Sequence, residues 1–181
     1  MRVAEDAQAV QDAAIRRSDR AANVAERAWR QMDAADLDSS WSAVEPLVVA
    51  TANGAARANA ASTARFTGRL AASDGLSGDV LVPDAFVGVD GSGRPLASLL
   101  HGSVTTTKQA IAAGMSIPDA MLTGGTYLTL MMKTALADVE RSSSMAAAVG
   151  KQYTRYVRLV NPGACSRCAI LAGSDRFSTN F

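Results

Sequence analysis

Histidine occurs once in this chain, at His101, and cysteine twice, at Cys165 and Cys168. A structural zinc site needs four ligands, and the C-x-x-C spacing supplies only two of them. Completing a site within these 181 residues requires His101 to fold back onto the cysteine turn beside a carboxylate. A Ser-His hydrolase has to use the same histidine. Ser98 and Ser103 are near it in sequence, but no nucleophile elbow accompanies them, so His101 stands as the catalytic candidate of a motif without its other members. A thioredoxin-like use of Cys165 and Cys168 lacks the βαβ setting that lowers a thiol pKa. The plainest reading of the two cysteines is a pair of small apolar side chains in a tight turn.

Other shortages set the class of protein. Aromatic residues make up 5% of the chain, and much of its 48% apolar content is alanine. Alanine favours helices but buries little area at about 25 cal/mol per Å2, so partners are expected to cover part of the surface. The most apolar run, 127–136, is far short of the ~20 residues of a membrane span. The first residues, MRVAEDAQAVQDAA, lack the apolar core of a secretory signal. Two close cysteines are no secreted disulfide framework, so the expected compartment is a reducing cytosol.

Long helical stretches dominate what is present. Residues 3–36 contain neither glycine nor proline and predict one helix. It carries a small-residue seam (Val3, Ala7, Val10, Ala14, Ala21, Val24, Ala28) and a bulkier stripe (Ile15, Ala22, Ala25, Trp29, Met32). Two stripes suit a helix in an ordinary bundle or one docked on a neighbouring subunit. Asp38, Ser39 or Ser40 is expected to cap a second helix over 41–72, with Pro46 in its first turns and a stripe through Val44, Val48, Thr51, Ala55, Ala58 and Ser62. The two form an antiparallel hairpin, 1–72. An extended Gly/Pro/Asp connector follows, 73–96, with short extended pieces around a turn at Asp90–Gly93.

Helical signals return from Ala97 to about Ala113, with Gly114 as the stop. Ser116, followed by Pro118 and Asp119, starts another helix running to about Ala148. Its stripe is Met121, Gly125, Leu128, Met132, Ala135 and Val139. A strand over 156–160 then leads into the cysteine turn, and 97–181 forms the second region of a mainly α fold. The net charge is +1, yet the end of the chain carries Lys151, Arg155, Arg158, Arg167 and Arg176 against Asp175. These cations form either a solvated face or a DNA-facing one.

The stretch LTGGTYLTLMMKTALADVERSSSMAA followed by YTRYVRLVNPGACSRCAILAG resembles the Mu F-type minor head proteins of tailed bacteriophages, especially those of actinobacterial siphophages. The likeness runs from about Pro83 to Gly173 and is most specific from Tyr156-Val157-Arg158 to Cys165-Ser166-Arg167-Cys168. In that family a His-Pro-x-Cys-x-Cys element follows the turn. The resemblance therefore implies that Cys165 and Cys168 are half of a zinc knuckle whose other half would lie past Phe181. It also implies a structural protein inside the capsid near the portal vertex, with the portal, the major capsid protein and packaged DNA as partners. Basic residues Lys151, Arg155, Arg158 and Arg167 would face the DNA. Members are also described as capsid maturation proteases, which makes a protease centred on His101 the second reading and an assembly scaffold the third.

Overall fold

The computed structural model describes residues 2–77 and 80–151, and these are mainly helical. The helices are α1 (Arg2–Trp29), α2 (Leu37–Ser73), α3 (Leu96–Ala112) and α4 (Ile117–Gly150). A 3-10 turn, Pro83–Phe86, lies between α2 and α3. The strand expected over 156–160 and the cysteine turn lie outside the described residues.

α1 stops seven residues earlier than its composition suggests. Gln31 and Met32 donate N–H bonds to the carbonyls of Ala28 and Trp29 at 3.1 and 3.0 Å, tightening the last turn. Asp33 then accepts from the Ala35 N–H at 2.8 Å in a side-chain turn that competes with helix. The cap of α2 is Asp36, accepting from Ser39 N at 3.2 Å, two residues ahead of the expected position. Because α2 starts at Leu37, Pro46 is interior and not in the first turns. Its ring is exposed, and the carbonyl it leaves unpaired is that of Ser42, also exposed, so water can satisfy it.

Both glycine stops are built alike. After α2, Gly75 has φ +66°, and Leu76 and Gly75 donate to the carbonyls of Ala71 and Ala72 at 2.9 and 3.3 Å. After α3, Gly114 has φ +86°, and Met115 and Gly114 donate to Ala110 and Ile111 at 3.0 and 2.9 Å. This paired pattern needs a left-handed residue, which glycine adopts without strain. Ser116 caps α4 as expected, accepting from Asp119 N at 3.3 Å. In the connector the extended pieces reduce to one antiparallel bridge, Val89 to Pro95. Buried Asp90 organises that loop. It accepts from the N–H groups of Ser92 and Arg94 at 2.8 and 2.9 Å and from Arg94 Nε at 2.7 Å.

Contacts between helices show antiparallel neighbours. Trp29 meets Trp41 and Arg17 meets Asn59 across α1 and α2. Asp38 meets Lys108 across α2 and α3, and Asp19 meets Lys133 across α1 and α4. α1 and α3 each pack against both α2 and α4, and a single core runs through all four helices. Its large members are Trp41, Leu100, Leu128, Met132 and Leu136. Burial of each large apolar side chain contributes about 1.5–3 kcal/mol.

The α4 stripe is buried from Gly125 to Val139, with Met121 half-buried at its start. On α1, Ala14, Ala21, Ala22, Ala25, Ala28 and Trp29 are inside, whereas Val3 and Ile15 are exposed. The α2 stripe is corrected after Val48. The buried line passes through Ala52, Ala56, Asn59 and Thr63, not Thr51, Ala55, Ala58 and Ser62. Alanine, threonine and serine occur on every side of α2, so small apolar residues do not mark its inner face.

Close approach at one point depends on glycine. A Cβ added at Gly124 would collide with Thr107 Oγ1 and lie 2.6 Å from Trp29 Cζ2 and 2.9 Å from the Ser103 carbonyl oxygen. At Gly125 it would lie 2.7 Å from Trp29 Cδ1. The Trp29 indole N–H also donates to the Met121 carbonyl at 2.8 Å. Gly54, by contrast, has nothing within 4 Å of the added atom. Two opposite outcomes are therefore expected from one substitution type in urea melts. Gly124→Ala lowers stability by about 1–3 kcal/mol through overpacking. Gly54→Ala raises it by about 0.5–1 kcal/mol through helix propensity; equal shifts at the two sites would contradict this packing account.

A second expectation concerns pH. The Arg94 backbone N–H holds the Asp90 carboxyl below its usual range, against the opposing effect of burial, and the Arg94 side chain and the Ser92 N–H add to the depression. A depressed carboxylate stabilises the fold above its unfolded pKa of about 4 and loses that contribution as pH falls through the lower folded value. The stability difference between the native chain and Asp90→Asn should be constant near neutrality and shrink below about pH 4. Chemical denaturation at a series of pH values measures it, and a difference independent of pH would count against the loop's charge-based anchoring.

Candidate interaction surface

An open groove of about 690 Å3 lies between α1 and α4. Ala22, Trp29, Met121, Leu122, Gly125 and Leu130 supply its apolar lining. The same close approach that buries Trp29 against Gly125 gives the groove its floor. Leu122 is 70% exposed and Leu130 55% exposed, eight residues apart on one side of α4. At ~1.5 Å per residue the two stand about 12 Å apart along α4 with exposed Thr126 between them, and they form an interrupted apolar ridge beside the buried stripe. Charges border this ridge in pairs: Glu26 with Arg30, and Lys133 with Asp19 at 2.7 Å. With its cations already neutralised and an apolar ridge left in water, the surface is suited to covering by a partner. Its lining holds no histidine.

His101 lies elsewhere, exposed on α3. Its ring meets Trp41 edge-to-face, with centroids 6.2 Å apart and planes at 80°. Trp41 in turn meets Trp29 at 6.4 Å and 62°, so the histidine ends an aromatic chain that begins at the α1–α4 groove. Ser98 is exposed, and the buried Ser103 hydroxyl donates to the Leu100 carbonyl at 2.8 Å. Among the described residues, no three His, Cys, Asp or Glu side chains come together as metal ligands. Cys165 and Cys168 lie outside those residues. Of the basic candidates, Lys151 closes α4, with its N–H on the Ala147 carbonyl at 3.0 Å. Arg155, Arg158, Arg167 and Arg176 lie outside the described residues. No described helix is long and apolar enough to cross a membrane.

One polar cluster inside the bundle escaped the sequence reading. Arg17 Nε donates to Asn59 Oδ1 at 2.6 Å. Asn59 is 1% exposed, and its Nδ2 has no hydrogen-bond partner; buried Arg17 Nη2 has none either. Burial lowers the Arg17 pKa, and the positive charges of Arg20, Arg65 and Arg16 lower it further while Glu140 opposes them. Glu140, on α4, is pushed up by burial and pulled partway back by Arg17 and Arg141. The signals in the sequence were Arg17, which breaks the small-residue seam of α1, and an asparagine in an alanine-rich helix, whose depth depends on the packing of α1 and α4.

No family model, no curated protein and no solved structure matches this chain.

Proposed function

We propose that this chain is a structural minor head protein of a tailed bacteriophage, docked inside the capsid on the portal and assisting head assembly, DNA retention or DNA ejection. The observation that carries the reading is the α1–α4 groove, whose exposed Leu122 and Leu130 form an apolar ridge bordered by paired charges. An alanine-rich bundle with such a ridge gains stability when a partner covers it. The resemblance of residues from about Pro83 to Gly173 to the Mu F-type proteins supports a portal ring within the virion as the partner class. In this reading the protein performs no bond chemistry. Its work is to hold a place at the vertex through which DNA passes.

Purified, DNA-filled particles of the encoding phage provide the test. Quantitative peptide mass spectrometry should find the chain at a fixed ratio to the portal protein. Peptides past Phe181 bearing histidine and cysteine would complete the zinc knuckle. Absence of the chain from finished particles would sink the portal-bound reading in favour of a scaffold or a protease used only during assembly. Leu122→Asp/Leu130→Asp, at two exposed positions, should leave the helical circular-dichroism signal intact and reduce co-purification with portal by at least about tenfold, the effect of ~1.4 kcal/mol lost from an interface. The protease reading separates at His101: His101→Ala should leave capsid proteins in their normal processed state, and unprocessed capsid protein would favour the enzyme.

A further inference from the structure

Two hydrogen-bond donors inside the bundle have no acceptor among the described residues: Arg17 Nη2 on α1 and Asn59 Nδ2 on α2. They belong to side chains already joined to each other. Arg17 Nε donates to Asn59 Oδ1 at 2.6 Å, and Asn59 is 1% exposed. The arrangement follows from the chemistry of the two groups. A guanidinium has donors only, so Asn59 has to offer its oxygen to it, and the amide nitrogen is left over. Nε and Nη2 are the two prongs of one edge of the guanidinium, an edge that can hold both oxygens of a carboxylate. Asparagine brings a single oxygen to it, which fills the first prong. The second prong and the unused amide nitrogen each lie two bonds from an atom of the 2.6 Å contact, so they stay close to one another.

A buried donor left without an acceptor carries its full desolvation cost, so both donors need an acceptor that the chain does not supply. The charge of that acceptor follows from the surroundings of Arg17. Glu140, half-buried on α4, already acts as a counter-charge to Arg17. A second negative charge would be repelled by that carboxylate, so a neutral acceptor fits better than an anion. Its size follows from the neighbours. One turn from Arg17 on α1 are Ala14 and Ala21, and one turn from Asn59 on α2 are Ala56 and Thr63; all four are buried. Their short side chains leave room beside the pair for a small molecule, and internal water is found where it can join such buried polar groups. Water has two lone pairs, one for each donor. From this geometry we infer that a water molecule enclosed between α1 and α2 accepts a hydrogen bond from Arg17 Nη2 and another from Asn59 Nδ2. It completes the polar contact of the two helices at the point where Arg17 interrupts the alanine seam of α1. The site is separate from the α1–α4 groove, and it does not depend on the portal reading.

The test is a crystal structure of the full chain beside those of two variants that satisfy the pair without water. In Asn59→Asp the carboxylate fills both prongs of the Arg17 edge. In Arg17→Gln the two side-chain amides exchange one hydrogen bond each way. Circular dichroism confirms the fold of each, and either variant suffices if the other fails to fold. The native chain should show a density peak within about 3.2 Å of both Arg17 Nη2 and Asn59 Nδ2, and the variants should lack it. In solution, the Asn59 side-chain amide protons of the native chain should show nuclear Overhauser transfer from a long-lived water, and Arg17→Gln should lose it. A Glu140 carboxylate bonded directly to Arg17 Nη2, or any other protein acceptor on either donor, would overturn the site. An anomalous bromide peak at that position in soaked crystals would overturn it in favour of an anion. Water persisting there in both variants would assign it to other groups and overturn the proposed partners. Absence of both the density and the transfer in the native chain would overturn the site outright.

Discussion

The Trp29 indole, seated on the paired glycines of α4, is the contact on which the other features depend. Gly124 and Gly125 let the α4 backbone come close enough for the ring to lie against it and for the Thr107 hydroxyl of α3 to approach from its own side. The indole N–H reaches the Met121 carbonyl, so a large aromatic group enters the core without leaving a donor unpaired. From there the edge-to-face contact with Trp41 couples α1 to α2. A chain with two tryptophans among so many alanines concentrates its packing energy there, and both the core and the groove floor inherit their shape from it.

Local chemistry was legible in the sequence, and long-range geometry was not. Ser116 with Asp119, and Gly114 in its left-handed turn, act through neighbouring residues, so the boundaries of α3 and α4 follow from the letters alone. The α4 stripe was legible because Leu128, Met132 and Val139 are large enough to mark one face. On α2 no such contrast exists, and the buried face came out one position away from the expected one. The early end of α1 was hidden because nothing in 30–36 forbids helix; Asp33 and Asp36 merely bind backbone N–H groups more favourably in a turn. Of the candidate site, Leu122 and Leu130 were plain letters beside the stripe. That no described element covers them is a fact of the tertiary arrangement. Whether an arginine is paired likewise depends on which carboxylate the fold brings to it.

The groove offers apolar area with its bordering charges neutralised, and both of its walls are helices. α1 contributes Trp29 and α4 contributes Leu122 and Leu130, so the shape of the groove is set by rigid, antiparallel rods and not by loops.

The hydrogen bond from Arg17 to Asn59 has a consequence for alignment. Helices coated with alanine can slide past one another by a full turn and meet an almost identical surface, so apolar matching alone leaves several offsets nearly degenerate. Asn59, fully enclosed, has its acceptor met by Arg17 at one offset. A displacement of one turn, about 5.4 Å, would strand that oxygen against hydrocarbon. The pair therefore acts as a vernier mark on an otherwise smooth scale. It adds little to the total stability, yet it singles out the setting at which Trp29 arrives over its glycines.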